Sequence, residues 1–435
     1  MQISDLKPDA EWMYSMLTEM SPLHRFINSP GLDKSFEILK KEIPEITIHE
    51  YPSGMDFGDW TVPLSWEVIE GKMTDTEGEI IASIEESHLF VAPYSCDVDG
   101  WFTKKEIEKH LKTSPDNPNA YALEHRYAYN YSLLGNWGIT LPHKRWTDLS
   151  DGKYRIKISV KEKDNTLKFA EYFLPGKSRE TLCICAHIDE LCNDNLSGCV
   201  AAAEILRKLA TLDHRNYSYQ LLLVPEMFGT LLYIYNNRNK VDNTFGMLNL
   251  ETVGAGKNWV LKKSYPENTK LEKLLRKAML HSKVNFDEIS FFEGYGNDER
   301  YTSWPTLGIP GVAIQRFPFQ QYHTSEDIPE IINKDYLADV CKMSFRLIHL
   351  IENETAPVFT DVLPPWLTKR ELYFDNIYNS KNHHKYNNLL LFNIDGKKSI
   401  SDLAEISGLT YPEVESYINK FVDAGVIKIQ PAKWR

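Results

Sequence analysis

The amino-acid sequence predicts an α/β protein whose largely parallel central sheet is flanked by helices, with a β-rich segment inserted in it and a helical module at the C-terminal end. Three observations carry this expectation. From about Lys168, near-continuous apolar runs alternate with amphipathic helical patterns; between about Tyr51 and Asn165 the texture is short and strand-like; after Pro364-Pro365 a helix-turn-helix pattern closes the chain. With 435 residues, 42% hydrophobic and 25% charged, the chain is long enough for two or three domains with real cores and too mixed in composition to be disordered.

Between Ala10 and Glu42 the apolar residues Trp12, Met16 and Leu17, then Phe26 and Ile27, then Phe36 and Leu39 recur at helical spacing, broken by Pro22 and Pro30-Gly31. Two helices are expected there. In the next stretch, 61–68, 87–91 and 154–160 read as strands separated by Gly, Pro and Asp turns. Five of the ten tryptophans fall in this stretch, and aromatics on short strands are expected to fill a core rather than line a cleft. Further on, 181–186, 219–224, 245–250 and 311–314 are apolar enough for strands covered on both faces. Val200, Ala203, Leu206 and Leu209 mark one covering helix, and Leu271, Leu274, Leu275 and Ala278 another. In 399–429 a short helix, a turn at Gly408, a second helix and a terminal strand spell a helix-turn-helix with a small wing.

The formal net charge of −12 repels phosphates and anionic headgroups, so neither nucleic acid nor membrane is an expected partner. The first ten residues lack the basic start and apolar run of a secretory signal, and a cytoplasmic location is expected. Cys183, Cys185, Cys192 and Cys199 crowd one stretch without C-x-x-C spacing, which predicts reduced thiols.

The polar residues carry the function. His187 and Asp189 follow the first apolar strand, Glu226 follows the second after Pro225, Glu251 closes the third, and His323 lies in a loop after the fourth. In an open α/β sheet the carboxyl ends of the strands line one crevice, so these distant residues are expected to converge. Asp194 joins them, because it opens the helix that begins with Asn195-Leu-Ser-Gly. Singly, Asp194 reads as a helix cap and Glu226 as a solvated loop carboxylate; their convergence is what points to chemistry. Imidazoles with carboxylates and no thiolate form a donor set suited to catalytic zinc, which lowers the pKa of the water it binds from ~16 to about 7. Asp189, two residues after His187, is suited to accept the other ring N–H and hold the imidazole.

His187-Ile-Asp189, Asp194-Asn-Leu-Ser-Gly198, Glu226, Asn249-Leu-Glu251-Thr-Val-Gly254 and Tyr322-His-Thr324 resemble, in order, the metal motifs of zinc-dependent aminopeptidases with paired zinc ions. The whole chain is similar to bacterial multidomain aminopeptidase-like proteins with an inserted domain and a C-terminal winged helix. The resemblance implies a zinc-exopeptidase-like catalytic domain over 1–48 and 166–355, an inserted β-rich domain over 49–165 and a winged-helix domain over 356–435. It implies one or two zinc ions: Asp194 bridging, Glu226 and His323 completing one position, His187 and Glu251 the other. The implied reaction is hydrolysis of a peptide or amide bond in a small substrate.

Two departures from that family bear on mechanism. Its members carry two adjacent glutamates where this chain has Pro225-Glu226, so the usual base is absent and the proton acceptor is Glu226 itself or a neighbour such as Glu190 or Glu326. Glu251 stands where an aspartate is usual, one methylene longer, which leaves a single-ion site open. Arg300, in a loop resembling one beside the metal, would grip a substrate carboxylate or form a surface ion pair with Asp298 or Glu299. The catalytic candidates are therefore Glu226, Asp189 and Arg300. An aminopeptidase would use Asp298 or Glu299 as counter-charge to the substrate amine; a carboxypeptidase or N-acyl amide deacylase would use Arg300. A DNA-binding regulator with an inactive peptidase-like sensor is the reading from another class. Its second helix carries Glu413, Glu415 and Asp423 against Lys420, the wrong charge for a groove-reading helix, and a role in packing or homo-oligomerisation is expected instead.

Overall fold

The computed structural model describes residues 2–127, 130–294, 296–372 and 383–434. Helix α1 (Ala10–Met20) starts where the Asp9 side chain accepts from the Trp12 amide. Helix α2 (Pro30–Glu42) starts at Ser29 with Pro30 as its first residue. The proline is thus a start signal rather than only a break: its fixed φ suits the first helical position and its missing N–H is not needed there. Met13, Leu17, Phe36 and Leu39 pack from these helices onto one face of a large sheet.

That sheet has eight strands: β1 (Thr47–Pro52), β2 (Thr166–Leu174), β3 (Thr181–His187), β4 (Ser218–Val224), β5 (Thr244–Glu251), β6 (Asn258–Lys262), β7 (Phe286–Ile289) and β8 (Gly311–Phe317). Their order is β1-β2-β4-β3-β5-β8-β6-β7. The central four, β4, β3, β5 and β8, pair in parallel, and antiparallel pairings flank them. Every residue of β3, β4 and β5 is buried, as required of strands covered on both faces. Helices α3 (Leu196–Leu209), α5 (Lys270–His281) and α6 (Lys334–Glu352) share the face used by α1 and α2; α4 (Phe228–Asn236) covers the other. The expected mixed sheet flanked by helices is present, parallel at its centre and antiparallel in the pairings that flank the centre.

The chain between β1 and β2 builds a separate antiparallel sheet from Ile80–Ser83, Ser65–Thr74, Lys153–Lys163 and Val98–Thr103, in that order. Trp66, Trp137 and Trp146 are buried in a core that this segment builds together with Phe26 and Leu191, while Trp101 is exposed. The run 87–91, expected as a strand, instead forms the 3-10 helix His88–Phe90, because the Ser87 hydroxyl accepts from the Leu89 amide and turns the chain. The expected boundary at residue 48 falls inside β1, which belongs to the large sheet.

Near the C-terminal end, helix Ile400–Ser407 stops at Gly408 with φ +72°, and helix Tyr411–Asp423 follows. Val414, Tyr417, Ile418 and Phe421 face a local core with Leu390 and Leu403. The last strand, Ile427–Pro431, pairs antiparallel with Thr355–Phe359, which precedes the two helices of the module. Lys273 on α5 reaches Glu405 at 2.8 Å, and Trp434 stacks on Phe245 with ring centroids 4.3 Å apart. Cys183, Cys185, Cys192 and Cys199 are buried free thiols. Among the described residues no helix is long and apolar enough to cross a membrane.

Candidate metal centre

The parallel registers gather the predicted polar residues at one edge. His187, the last residue of β3, pairs with Val224 at the end of β4, and Cys185 pairs with Asn249 near the end of β5. His187 Nε2 lies 3.1 Å from Glu251 Oε1 and 3.3 Å from Asp194 Oδ1, while its Nδ1 lies 3.2 Å from Asp189 Oδ1. The other oxygen of Asp194, Oδ2, is 2.9 Å from His323 Nε2. Asp194 therefore offers one oxygen to each imidazole.

Local sequence explains why Asp194 sits there. The Asn195 side-chain amide donates to the Leu250 carbonyl at 2.8 Å, and its Oδ1 accepts from Thr252 and Gly198 amides at 3.0 and 3.1 Å. Ser197 Oγ accepts from the Val253 amide at 3.0 Å, and Asn193 Oδ1 from Gly254 at 2.8 Å. These bonds sew the start of α3 to the end of β5. Gly198 permits the approach, since a Cβ there would stand 2.3 Å from the Leu250 carbonyl oxygen. Beneath them, the buried Asp327 carboxylate accepts from the Asn193 and Asp194 amides at 2.6 and 3.0 Å.

Two further residues enter the cluster. Glu190 Oε1 lies 3.0 Å from His125 Nδ1, and Glu190 Oε2 lies 3.6 Å from His323 Nε2. One donor atom from each of His125, Glu190 and His323 fits within 4.8 Å of the others, as does one from each of His187, Glu190 and Asp194. Glu190 is legible in the sequence as the neighbour of Asp189, where the sequence offers it as a proton acceptor. His125 had no local signal. It arrives because 121–123 runs beside 323–325, with the Leu123 amide donating to the His323 carbonyl at 2.8 Å and the Ser325 amide to the Tyr121 carbonyl at 2.9 Å. Glu190, Met227, Thr252 and His323 all hold left-handed backbone, at φ +73°, +64°, +50° and +54°. Such positions cost free energy in non-glycine residues and cluster at functional sites. Tyr322 stacks on the His323 ring with centroids 3.7 Å apart.

Charge in this pocket is strongly biased. Burial pushes the Glu251 carboxyl up to about 8, against the pull of His187. Glu190 is held well above the carboxylate range by burial, with the Asp194 and Glu226 charges adding to it. Burial opposes an ionised Asp194, yet His187 and His323 hold it well below its ordinary value. The His187 imidazole is penalised by burial, but Glu251, Asp189 and Asp194 keep it well above the usual imidazole range. His125 is lowered to about 3 by burial and then by His323. Carboxylates from Asp189, Glu190, Asp194, Glu226 and Glu251 around these imidazoles suit a divalent cation, which inverts the local electrostatics. The spacing fits as well. Ligand atoms of tetrahedral zinc, each about 2.0–2.1 Å from the ion, stand about 3.3 Å apart, close to the 3.1 and 3.3 Å separations around His187 Nε2.

Glu226 is half-buried and belongs to neither close group of donor atoms; its backbone amide donates to Asp189 Oδ1 at 2.9 Å, and the residue lines the adjoining cavity of about 650 Å³. Asp189 thus holds both the His187 ring and the turn that bears Glu226. Arg300 is exposed and also lines the cavity, with its guanidinium against Gly296. Neither carboxylate expected to face a substrate amine is in position to do so. Asp298 is buried, pushed up to about 7 by that burial, and accepts from the Met227 amide at 3.1 Å. Glu299 is buried against Lys262, 3.1 Å away. Both hold the polypeptide instead of pairing with Arg300. Glu326 is exposed and does not line the cavity.

The arrangement is that of the aminopeptidase-like α/β fold. The chain superimposes on the zinc aminopeptidase of Bacillus subtilis with a TM-score of 0.61 at 14% identity, covering 79% of this chain and 95% of that one. The family model described as a domain of unknown function (DUF4910) matches residues 14–354, and the chain belongs to that family. A Clostridium acetobutylicum protein, provisionally named for polysaccharide biosynthesis and an aminopeptidase-like domain, is 30% identical over 416 residues, 93% of each chain. The crystal structure of a provisionally assigned peptidase from the same organism matches with a TM-score of 0.76 at 28% identity, covering 97% of this chain and 96% of that one.

Proposed function

We propose that this protein is a zinc-dependent hydrolase of peptide or amide bonds, aminopeptidase-like, acting on a small substrate. The observation that supports it best is Asp194, with one oxygen 3.3 Å from His187 Nε2 and the other 2.9 Å from His323 Nε2. His187, Asp194, Glu251 and His323 would hold zinc, which when bound supplies polarisation of a carbonyl and of water. The protein's own groups do the rest. Asp189 holds the His187 ring through Nδ1. Glu226, on the cavity wall, accepts a proton from the attacking water and returns it to the leaving amine. Val260 and Phe317 give the wall an apolar stretch against which a substrate side chain packs.

A second reading, a carboxypeptidase or N-acyl amide deacylase, is favoured by Arg300 and Lys112 on the cavity wall, since a guanidinium and an ammonium match a substrate carboxylate. In either case we propose a catalytic unit whose first segment runs to the end of β1 at Pro52 and resumes over 166–355, an inserted domain between those segments, and a C-terminal winged-helix domain over 356–435 that packs or self-associates without binding DNA, all in the cytoplasm. Metal analysis of protein purified without chelator, joined to a screen of aminoacyl, carboxypeptidase and N-acyl substrates, tests the reading. Zinc-dependent release of product from one class is expected; metal-free protein that turns over none of them would sink it.

A further inference from the structure

His125 belongs to the chain between β1 and β2, yet its ring centroid is 4.6 Å from that of His323. Its Nδ1 meets Glu190 Oε1 at 3.0 Å, Glu190 Oε2 faces His323 Nε2 at 3.6 Å, and His323 Nε2 is 2.9 Å from Asp194 Oδ2. Two imidazoles and two carboxylates form a donor set of the kind that holds catalytic zinc. Glu226 is not among them. The backbone is committed to this geometry: Glu190 and His323 are both left-handed, and the pairing of 121–123 with 323–325 fixes how far His125 stands from His323.

We propose that the second cation position of this protein is formed by His125, Glu190 and His323 with Asp194 shared, so that the segment between β1 and β2 completes the centre by supplying a ligand. This rests on the zinc-hydrolase reading above. It departs from the ligand set implied by the resemblance, in which Glu226 fills that place. The competing role for His125 is to orient Glu190 through a hydrogen bond without touching the ion, and the two roles differ in what a substitution does.

The test uses the full-length chain, stripped of metal and titrated with zinc and with cobalt(II), reading stoichiometry by elemental analysis and ligation by absorption. Wild type and Glu226→Gln should bind two ions. His125→Ala should keep one ion and bind the second more weakly by over ~100-fold, beyond the roughly 10–100-fold expected for an outer partner. His125→Cys should restore the second ion and add a thiolate-to-cobalt charge-transfer band that wild type lacks, which also answers any concern that the alanine variant misfolds. Two ions at wild-type affinity in His125→Ala, or His125→Cys without the new band, overturns the proposal. If His187→Ala loses metal while His125→Ala does not, the zinc reading stands and this inference alone fails. If wild type binds no zinc, both fall.

Discussion

The Arg25 guanidinium donates to the main-chain carbonyl of Glu190 at 2.9 Å, and through that contact a residue at the start of the chain holds a left-handed residue of the site. The same side chain donates to the carbonyls of Leu191 at 2.9 Å, Ile188 at 3.0 Å and Leu23 at 3.0 Å. Burial lowers Arg25 to about 10, so it remains a cation at neutral pH, and its charge stays beside an acidic cluster.

Removing that clamp is expected to cost both stability and metal. Arg25→Ala strands several buried carbonyls, each worth roughly 1–3 kcal/mol when unsatisfied, and should destabilise by at least about 3 kcal/mol in urea unfolding. Arg25→Lys should recover little, because one ammonium cannot reach carbonyls spread around a planar fork. Unchanged unfolding midpoints in both variants would show that the loop over 188–191 is held by other contacts.

Asp189 accepts from two directions, the His187 ring at 3.2 Å and the Glu226 amide at 2.9 Å. An asparagine keeps the shape but removes the charge that favours a ring donating from Nδ1 and ligating through Nε2. Asp189→Asn should lower zinc affinity by about 10–100-fold, the usual worth of such a partner. Competition against a fluorescent chelator measures it, and wild-type affinity would leave Asp189 without the assigned role.

Zinc at the proposed site should also stabilise the fold, since its ligands come from β3, β5 and the loops after β3 and β8. At a free concentration 100 times its dissociation constant the gain is about 2.7 kcal/mol. Scanning calorimetry with zinc and with a chelator should therefore give separate melting temperatures, and the gap should shrink in His187→Ala. Coincident melting curves for the wild type would count against occupancy of the site.

How much of this was legible follows from where each signal resides. The buried runs of β3, β4 and β5 are visible in sequence because helices on both faces leave no polar position in them. His187, Asp194, Glu251 and His323 are visible because an open sheet brings strand ends together, whatever their separation in sequence. Arg25, His125 and Asp327 carry no such pattern. Each acts on a segment distant in sequence, 165 residues away for Arg25 on Glu190 and 133 for Asp327 on Asp194, while His125 is set by the pairing of 121–123 with 323–325, through loop contacts that no local periodicity announces. Asp298 and Glu299 read as spare charges on a polar loop, and only the packing against Met227 and Lys262 reveals that they are structural.

Glu226 is where the departure from the aminopeptidase pattern is tested most directly. Pro225 leaves one carboxylate at the end of β4 where two are usual, so that carboxylate can be a ligand or an acid–base group. The second role is supported by the position of Glu226 on the cavity wall, where Asp189 ties down the turn that bears it. Glu226→Gln should therefore keep its zinc and lose hydrolysis by ~10²–10⁴-fold, the usual worth of a positioned acid–base group. The amide is nearly the same size, so the cavity and the substrate KM should change little while kcat falls. If instead the variant loses zinc and added zinc restores activity, Glu226 is a ligand, and the cluster around Glu190 must then supply the proton acceptor.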